Sequence, residues 1–231
     1  MKNVKENLIR LNRFISKSGI CNRREADNLI FSKKVYVNGK IIDKLGSKVL
    51  KSDIVKINGK ILRPFLPSYI LLNKPKNFSC DKSNDSVRTV FSILSKVKNL
   101  NTYNCELSVN LGHVGLVLIS NENLNSEKNF IKQILHLKLK HDLEKDNLKK
   151  ILQTKIKSKI IVKSVNYLKP NFKNEIGIEV FLKNIKTLEN LFCSINNEIT
   201  FLDRVTLSHL TKIGLARGQW RYLKKEEIFS L

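Results

Sequence analysis

Residue types able to do chemistry are thinly spread along this chain. Its cysteines are Cys21, Cys80, Cys105 and Cys193, and its histidines are His113, His136, His141 and His209. No two cysteines make a CxxC pair and no histidines make an HExxH-type cluster. The expectation is therefore reduced cysteines acting as small hydrophobes, with no metal site and no disulfide framework. The dense constellation is cationic: Arg10, Arg13, Lys17, Arg23, Arg24, Lys33 and Lys34 all fall within residues 10–34. Such a cluster can neutralise phosphates and release their counterions. The whole chain agrees, with 43 Lys plus Arg against 20 Asp plus Glu and a net charge of +23 over 231 residues. A charge of that size points to a polyanionic partner. A merely solvated basic face is the competing reading.

The elements that must position these cations can be read locally. Leu8, Leu11 and Ile15, with Ile9 and Phe14 beside them, form a helical stripe that Gly19 can stop in a left-handed conformation. A second helix starts after Asn22, which can cap it, while Glu25 reaches back as in a capping box. Ala26, Leu29 and Ile30 give this helix its buried face. Arg23 and Arg24 occupy its first turn, where the helix dipole disfavours cations and a nearby phosphate would offset the cost. Two β-rich runs then flank Asn38-Gly39, and the same pattern recurs around Asn58-Gly59, each a strong hairpin signal.

Arg10-Leu11, Ser18-Gly19, the run Cys21 to Asp27 and the run Val35 to Lys40 together resemble the S4 RNA-binding domain over residues 9–63. The resemblance implies that the helical cations, together with Asn38 and Lys40, lie against structured RNA, recognised by shape and phosphate more than by base edges.

Arg63-Pro64-Phe65-Leu66-Pro67-Ser68 reads as a short stiff linker. The strand-like run Tyr69 to Lys76 follows, then a continuous apolar run from Leu116 to Ile119 bounded by turn residues, the plain signature of a buried strand. With Leu202-Asp203-Arg204-Val205 and the closing run Gly214 to Leu223, these segments resemble bacterial rRNA pseudouridine synthases that carry an N-terminal S4 domain. Asn77 stands where that family usually has Gly, and Lys74 is carried over as an RNA contact. The resemblance implies an α+β fold whose larger part is a mixed, mainly antiparallel sheet with flanking helices.

The resemblance also places the family's chemistry, and there this chain departs from it. The family's nucleophilic Asp, in a Gly-Arg-Leu-Asp motif, falls at Asn110 of Leu107-Ser108-Val109-Asn110, and its Thr falls at His113. An amide cannot supply the anionic oxygen that attacks uridine. No Asp lies between Asp85 and Asp142, and Glu106 is four residues, about 13 Å, away along an extended strand. The arginine that should pair with the Asp falls at Glu189, in Lys183 to Phe192. The active-site Tyr falls near Leu137, in a Lys-rich region expected to precede a helix from about Glu144 to Leu152. For His113 a partly buried strand-end position is expected, and for Trp220 an anchor of the core or domain edge.

The organisation expected is a tail at 1–8, the S4 domain at 9–63, a linker at 64–68 and a pseudouridine-synthase-like domain at 69–231. The function expected is rRNA binding within that family. By ancestry the chemistry is uridine isomerisation, and Asn110 argues against turnover. A non-catalytic ribosome-assembly factor is the alternative. No cofactor is expected, the partner is ribosomal RNA, and the protein is expected to be monomeric. No apolar run of about 18 residues and no apolar signal core are present, so a cytoplasmic protein is the default.

Overall fold

The computed structural model describes residues 8–50, 52–63, 66–83, 86–122, 130–153, 155–156 and 160–229. Residues 1–7 of the expected tail and 64–65 of the expected linker lie outside them. The chain forms two compact units, Met1–Pro67 and Ser68–Leu231. The fold is α+β: a small N-terminal S4 domain and a second domain built on a mixed, mostly antiparallel sheet. Among the described residues no helix is long and apolar enough to cross a membrane.

In the first unit the helix Leu11–Lys17 begins later than its apolar stripe. Ile9–Arg10 instead pair as a short strand with Lys48–Val49, and Leu11 N–H donates to the Ser47 carbonyl at 2.8 Å. Gly19, at φ +75°, makes the left-handed stop. The helix Arg23–Phe31 carries a full capping box: Glu25 N–H donates to Asn22 Oδ1, and Asn22 N–H to Glu25 Oε2, both at 2.9 Å. A cap of this kind is worth about 1 kcal/mol. Leu11, Phe14 and Ile15 bury against Ala26, Ile30, Val35 and Val55. Two hairpins, Val35–Val37 with Lys40–Ile41 and Val55–Ile57 with Lys60–Ile61, join as a four-stranded antiparallel sheet. Asn38-Gly39 and Asn58-Gly59 all have positive φ, which lets each two-residue turn follow the strand twist.

The second unit is organised around Val114–Ser120, buried along its whole length. It pairs antiparallel with Tyr69–Lys74 and parallel with Ile199–Leu207. Ile70, Leu72, Val117 and Ile119 face one core, while Tyr69, Leu71, Leu116 and Leu118 face another, so the apolar runs are continuous because both sheet faces are covered. Gly115 makes the parallel contact possible. At φ +102°, a Cβ there would lie 2.4 Å from the Arg204 backbone and 2.6 Å from Asp203 Oδ1. The sheet continues through Ile131–Leu139, Phe172–Leu182 and Ile160–Lys169, all antiparallel.

Two local expectations change. The Lys-rich region before the helix Lys145–Gln153 contains the nine-residue strand Ile131–Leu139, whose odd-numbered residues are buried. Leu137, the position matched to the family's Tyr, belongs to that buried face. The segment 183–192 is mostly the helix Ile185–Cys193, whose first turn Asn184 caps through Lys186 N–H. Trp220 is the anchor expected. It is half-buried on the strand Trp220–Tyr222, opposite Leu72, and packs on the larger core.

Candidate functional site

The S4 unit presents its cations unevenly. Arg10, Arg23, Arg24, Lys33, Lys34 and Lys40 are exposed, whereas Arg13 and Lys17 are half-buried. A concavity of about 510 Å³ beside the hairpins is lined by Lys33, Lys34, Lys56 and the exposed ring of Tyr36. Three ammonium groups around an aromatic face suit a phosphate backbone with an adjoining base. Lys56 and Tyr36 were not among the expected contacts; their alternation with Val55 and Ile57, and with Val35 and Val37, is the signal that puts them on the outer face of the sheet. Asn38 is better accounted for as structure. It sits at φ +49°, donates to Asp53 Oδ1 at 3.0 Å and accepts from Ile54 N–H at 2.9 Å, so its amide holds the hairpin.

Lys74 also changes role. It is 0% exposed, and its ammonium donates to the carbonyls of His113 at 2.7 Å, Pro75 at 3.2 Å and Leu111 at 3.3 Å. Burial pulls its pKa down to about 8. A cation spent on three carbonyls inside the domain does not contact a phosphate from the surface. It pins the turn Asn110–His113, which His113 N–H closes onto the Asn110 carbonyl at 3.0 Å.

The other support of this turn is Arg204, a residue to which the sequence reading gave no role. Its guanidinium is fully buried and donates to the carbonyls of Leu107 at 2.9 Å, Leu116 at 2.8 Å and Ser108 at 3.2 Å, and to Gln133 Oε1 at 2.8 Å. Gln133 in turn donates to the Leu182 carbonyl at 3.0 Å. Burial lowers the Arg204 pKa to about 10. An arginine set between Leu202 and Val205 in a strand was the available signal. Next to it, Asp203 accepts from Lys212 at 2.6 Å and Arg217 at 3.0 Å. Burial raises its pKa, and those two cations outweigh burial, leaving it below the usual carboxylate range.

Asn110 and Glu189, matched independently to two partners in one site, do meet. Asn110 Nδ2 donates to Glu189 Oε1 at 2.5 Å across 79 residues of chain. His113 Nε2 lies 3.3 Å from the same oxygen. His113 is buried at the strand end as expected, and burial holds its pKa below the usual histidine range although Glu189 opposes this. An amide, a carboxylate and an imidazole therefore share one face of the turn. Such a set can read hydrogen-bonding edges and move a proton. Beyond the turn lies a cleft of about 500 Å³, whose wall includes Ser79, Cys80, Lys82, Phe91, Cys105 and Asn110. Among the described residues no cluster of His, Cys, Asp and Glu has the make-up of a metal site.

Comparison with known proteins gives four results. The S4 domain model matches residues 9–55. An RNA pseudouridine synthase of Aquifex aeolicus (strain VF5), described as uncharacterized, is 26% identical over 96% of this chain and 93% of its own length. Ribosomal large subunit pseudouridine synthase B of Bacillus subtilis (strain 168) is 40% identical over 81 residues, covering 35% of this chain and 33% of its own length. The crystal structure of a pseudouridylate synthase superposes with a TM-score of 0.61 at 18% identity, covering 96% of this chain and 99% of that one. At that identity the superposition speaks for the fold.

Proposed function

We propose that this chain is an S4-domain member of the RNA pseudouridine synthase family that binds structured ribosomal RNA and holds it without isomerising uridine by an aspartate route. The observation that carries the proposal is the Asn110–Glu189 contact. The resemblance puts a carboxylate nucleophile and a cationic partner at these positions, and this chain has a neutral amide and an anion there. An amide has no accessible anionic form, so no environment can make Asn110 the attacking oxygen. Losing a nucleophile commonly costs several orders of magnitude in rate.

RNA binding itself rests on the S4 unit. Its exposed cations, with Tyr36 and Lys56, supply phosphate neutralisation and a stacking face. Arg23 and Arg24 stand at a helix N-terminus, where an RNA phosphate would relieve their repulsion from the dipole.

A second reading, isomerisation through Glu189, has one observation in its favour. The Glu189 carboxylate lies against Asn110, so an anionic oxygen is present at the turn although it comes from the opposite helix. Incubating a deproteinised rRNA transcript with wild-type protein, with Glu189→Gln and with the double variant Asn110→Asp, Glu189→Arg separates the two. The proposal expects pseudouridine only from the double variant. Pseudouridine formed by the wild type and lost in Glu189→Gln would establish the second reading instead.

A further inference from the structure

The four-stranded sheet of the S4 unit has one covered face and one open face. Val35, Val55 and Ile57 point toward the helices and are buried among Leu11, Phe14 and Ile30. Their neighbours along each strand point the other way, because side chains alternate. The pairing register lines up four of these outward residues across the whole sheet, in the order Ile41, Tyr36, Lys56, Ile61. At the usual strand spacing the row is about 14 Å wide. Its apolar members are uncovered: Tyr36 is 38% exposed, Ile41 49% and Ile61 54%. Single exposed apolar side chains are ordinary, but a contiguous row across a sheet marks an interaction surface.

Cations border this row. Lys33, Lys34 and Lys56 line the concavity of about 510 Å³ together with Tyr36. In sequence Lys33 and Lys34 group with the helical cations, but the fold turns them to the sheet side. Lys33 holds φ +59° in the left-handed stop after the helix Arg23–Phe31, a position that glycine usually fills. It lies 3.8 Å from Asp43, with both side chains more than half exposed, so that pair is weak and Lys33 stays available. Arg23 and Arg24, on the first turn of the same helix, belong to the helical side of the unit. The two sides therefore suit different forms of RNA. A duplex keeps its bases stacked inside and offers phosphates and 2′-hydroxyls, which exposed arginines can meet. An open row of aromatic and aliphatic side chains ringed by lysines suits a polyanion that carries flat, free bases.

We propose that the open face of this sheet is a binding site for unpaired RNA, separate from the helical side that meets structured RNA. One base stacks on Tyr36, neighbouring bases rest on Ile41 and Ile61, and Lys33, Lys34 and Lys56 hold the phosphates. The site rests on RNA binding by the S4 unit, as proposed above, and adds which form of RNA each side takes. Four-stranded sheets with an aromatic on the open face stack two or three unpaired bases, and a row about 14 Å wide has room for that number.

The test uses the full chain and fluorescence anisotropy with two labelled probes, an oligouridine of about ten nucleotides and a blunt RNA duplex of about 16 base pairs. Tyr36→Ile is expected to weaken oligouridine binding about tenfold, the loss of one stacked base, and to change duplex binding less than about twofold. Tyr36→Phe is expected to keep oligouridine binding, because the ring carries the contact. Lys56→Gln, a second variant of the same face, is expected to lower the salt slope for oligouridine by about 0.7. Arg23→Ala with Arg24→Ala is expected to give the reverse pattern, weakening the duplex and sparing oligouridine. Duplex bound with oligouridine unbound would overturn the sheet-face site and leave RNA binding by the helical side standing. So would oligouridine bound equally by wild type, Tyr36→Ile and Lys56→Gln. Neither probe bound would overturn both. A dimer of the free protein that Tyr36→Ile turns into monomer in sedimentation would give the face to a second copy and overturn the proposal as well.

Discussion

Replacing Asn110 by Asp restores the group that the family resemblance asks for, yet the structure makes it an unfavourable change by itself. Asn110 Nδ2 lies 2.5 Å from Glu189 Oε1, so the new carboxylate meets an existing one. Two unit charges about 3 Å apart repel by roughly 5 kcal/mol at an effective dielectric of about 20. Asn110 is exposed and the Glu189 side chain is 25% exposed, so solvent screening reduces the net penalty to about 1–2 kcal/mol. The penalty has a defined pH signature. The folded variant binds a shared proton more tightly than the unfolded chain, so its carboxyl pKa is raised on folding. The loss of stability is absent below about pH 4, where both states are protonated. It grows as pH rises through the raised pKa and is complete at neutral pH. Urea melts of wild type, Asn110→Asp and Asn110→Asp, Glu189→Arg at pH 4 and pH 7 measure this directly. The single variant is expected to lose about 1–2 kcal/mol at pH 7 and little at pH 4, and the double variant to recover most of the loss. A single variant as stable as wild type at pH 7, or a double variant no better than the single, would refute the claim that these side chains face each other.

Other expectations follow from the same contacts. Gly115→Ala puts a methyl 2.4 Å from the Arg204 backbone at a positive φ and is expected to cost about 3–5 kcal/mol in chemical denaturation, enough to prevent accumulation of folded protein. Arg204→Lys keeps the charge but loses the fork that reaches Leu107, Ser108, Leu116 and Gln133, and should destabilise by about 2–4 kcal/mol in the same assay. Arg23→Ala with Arg24→Ala is expected to weaken rRNA binding by about 1–3 kcal/mol and reduce the salt slope by about two, as read from filter binding across a salt series. Lys74→Met should leave that slope unchanged, because its ammonium is committed to internal carbonyls.

Much of the S4 unit was legible because its signals are local. The Asn22–Glu25 capping box, the Gly19 stop and the two Asn-Gly hairpins each depend on fewer than ten consecutive residues, and each is formed by the residues that signalled it. Asn77, standing where the family has Gly, adopts φ +64°, which asparagine tolerates better than most residues. The strand Ile131–Leu139 was hidden behind its lysines, although Ile131, Leu135, Leu137 and Leu139 alternate correctly; Gln133 breaks the apolar pattern because it serves Arg204. The contact between Asn110 and Glu189 could be inferred only by matching two separate segments to one known arrangement. The roles of Arg204 and Lys74 were not legible at all. Each depends on contacts between distant segments, such as Arg204 to Ser108 across 96 residues, and no short pattern encodes them.

Holding of rRNA by this chain without rearrangement of uridine through an aspartate can be read on the RNA itself. It is tested most directly by chemical mapping of pseudouridine in deproteinised rRNA transcripts incubated with the purified wild-type protein, with binding to the same transcripts measured across a salt series. Salt-dependent binding and no new pseudouridine are expected. A new pseudouridine would contradict it and turn attention to Glu189 as the source of the attacking oxygen.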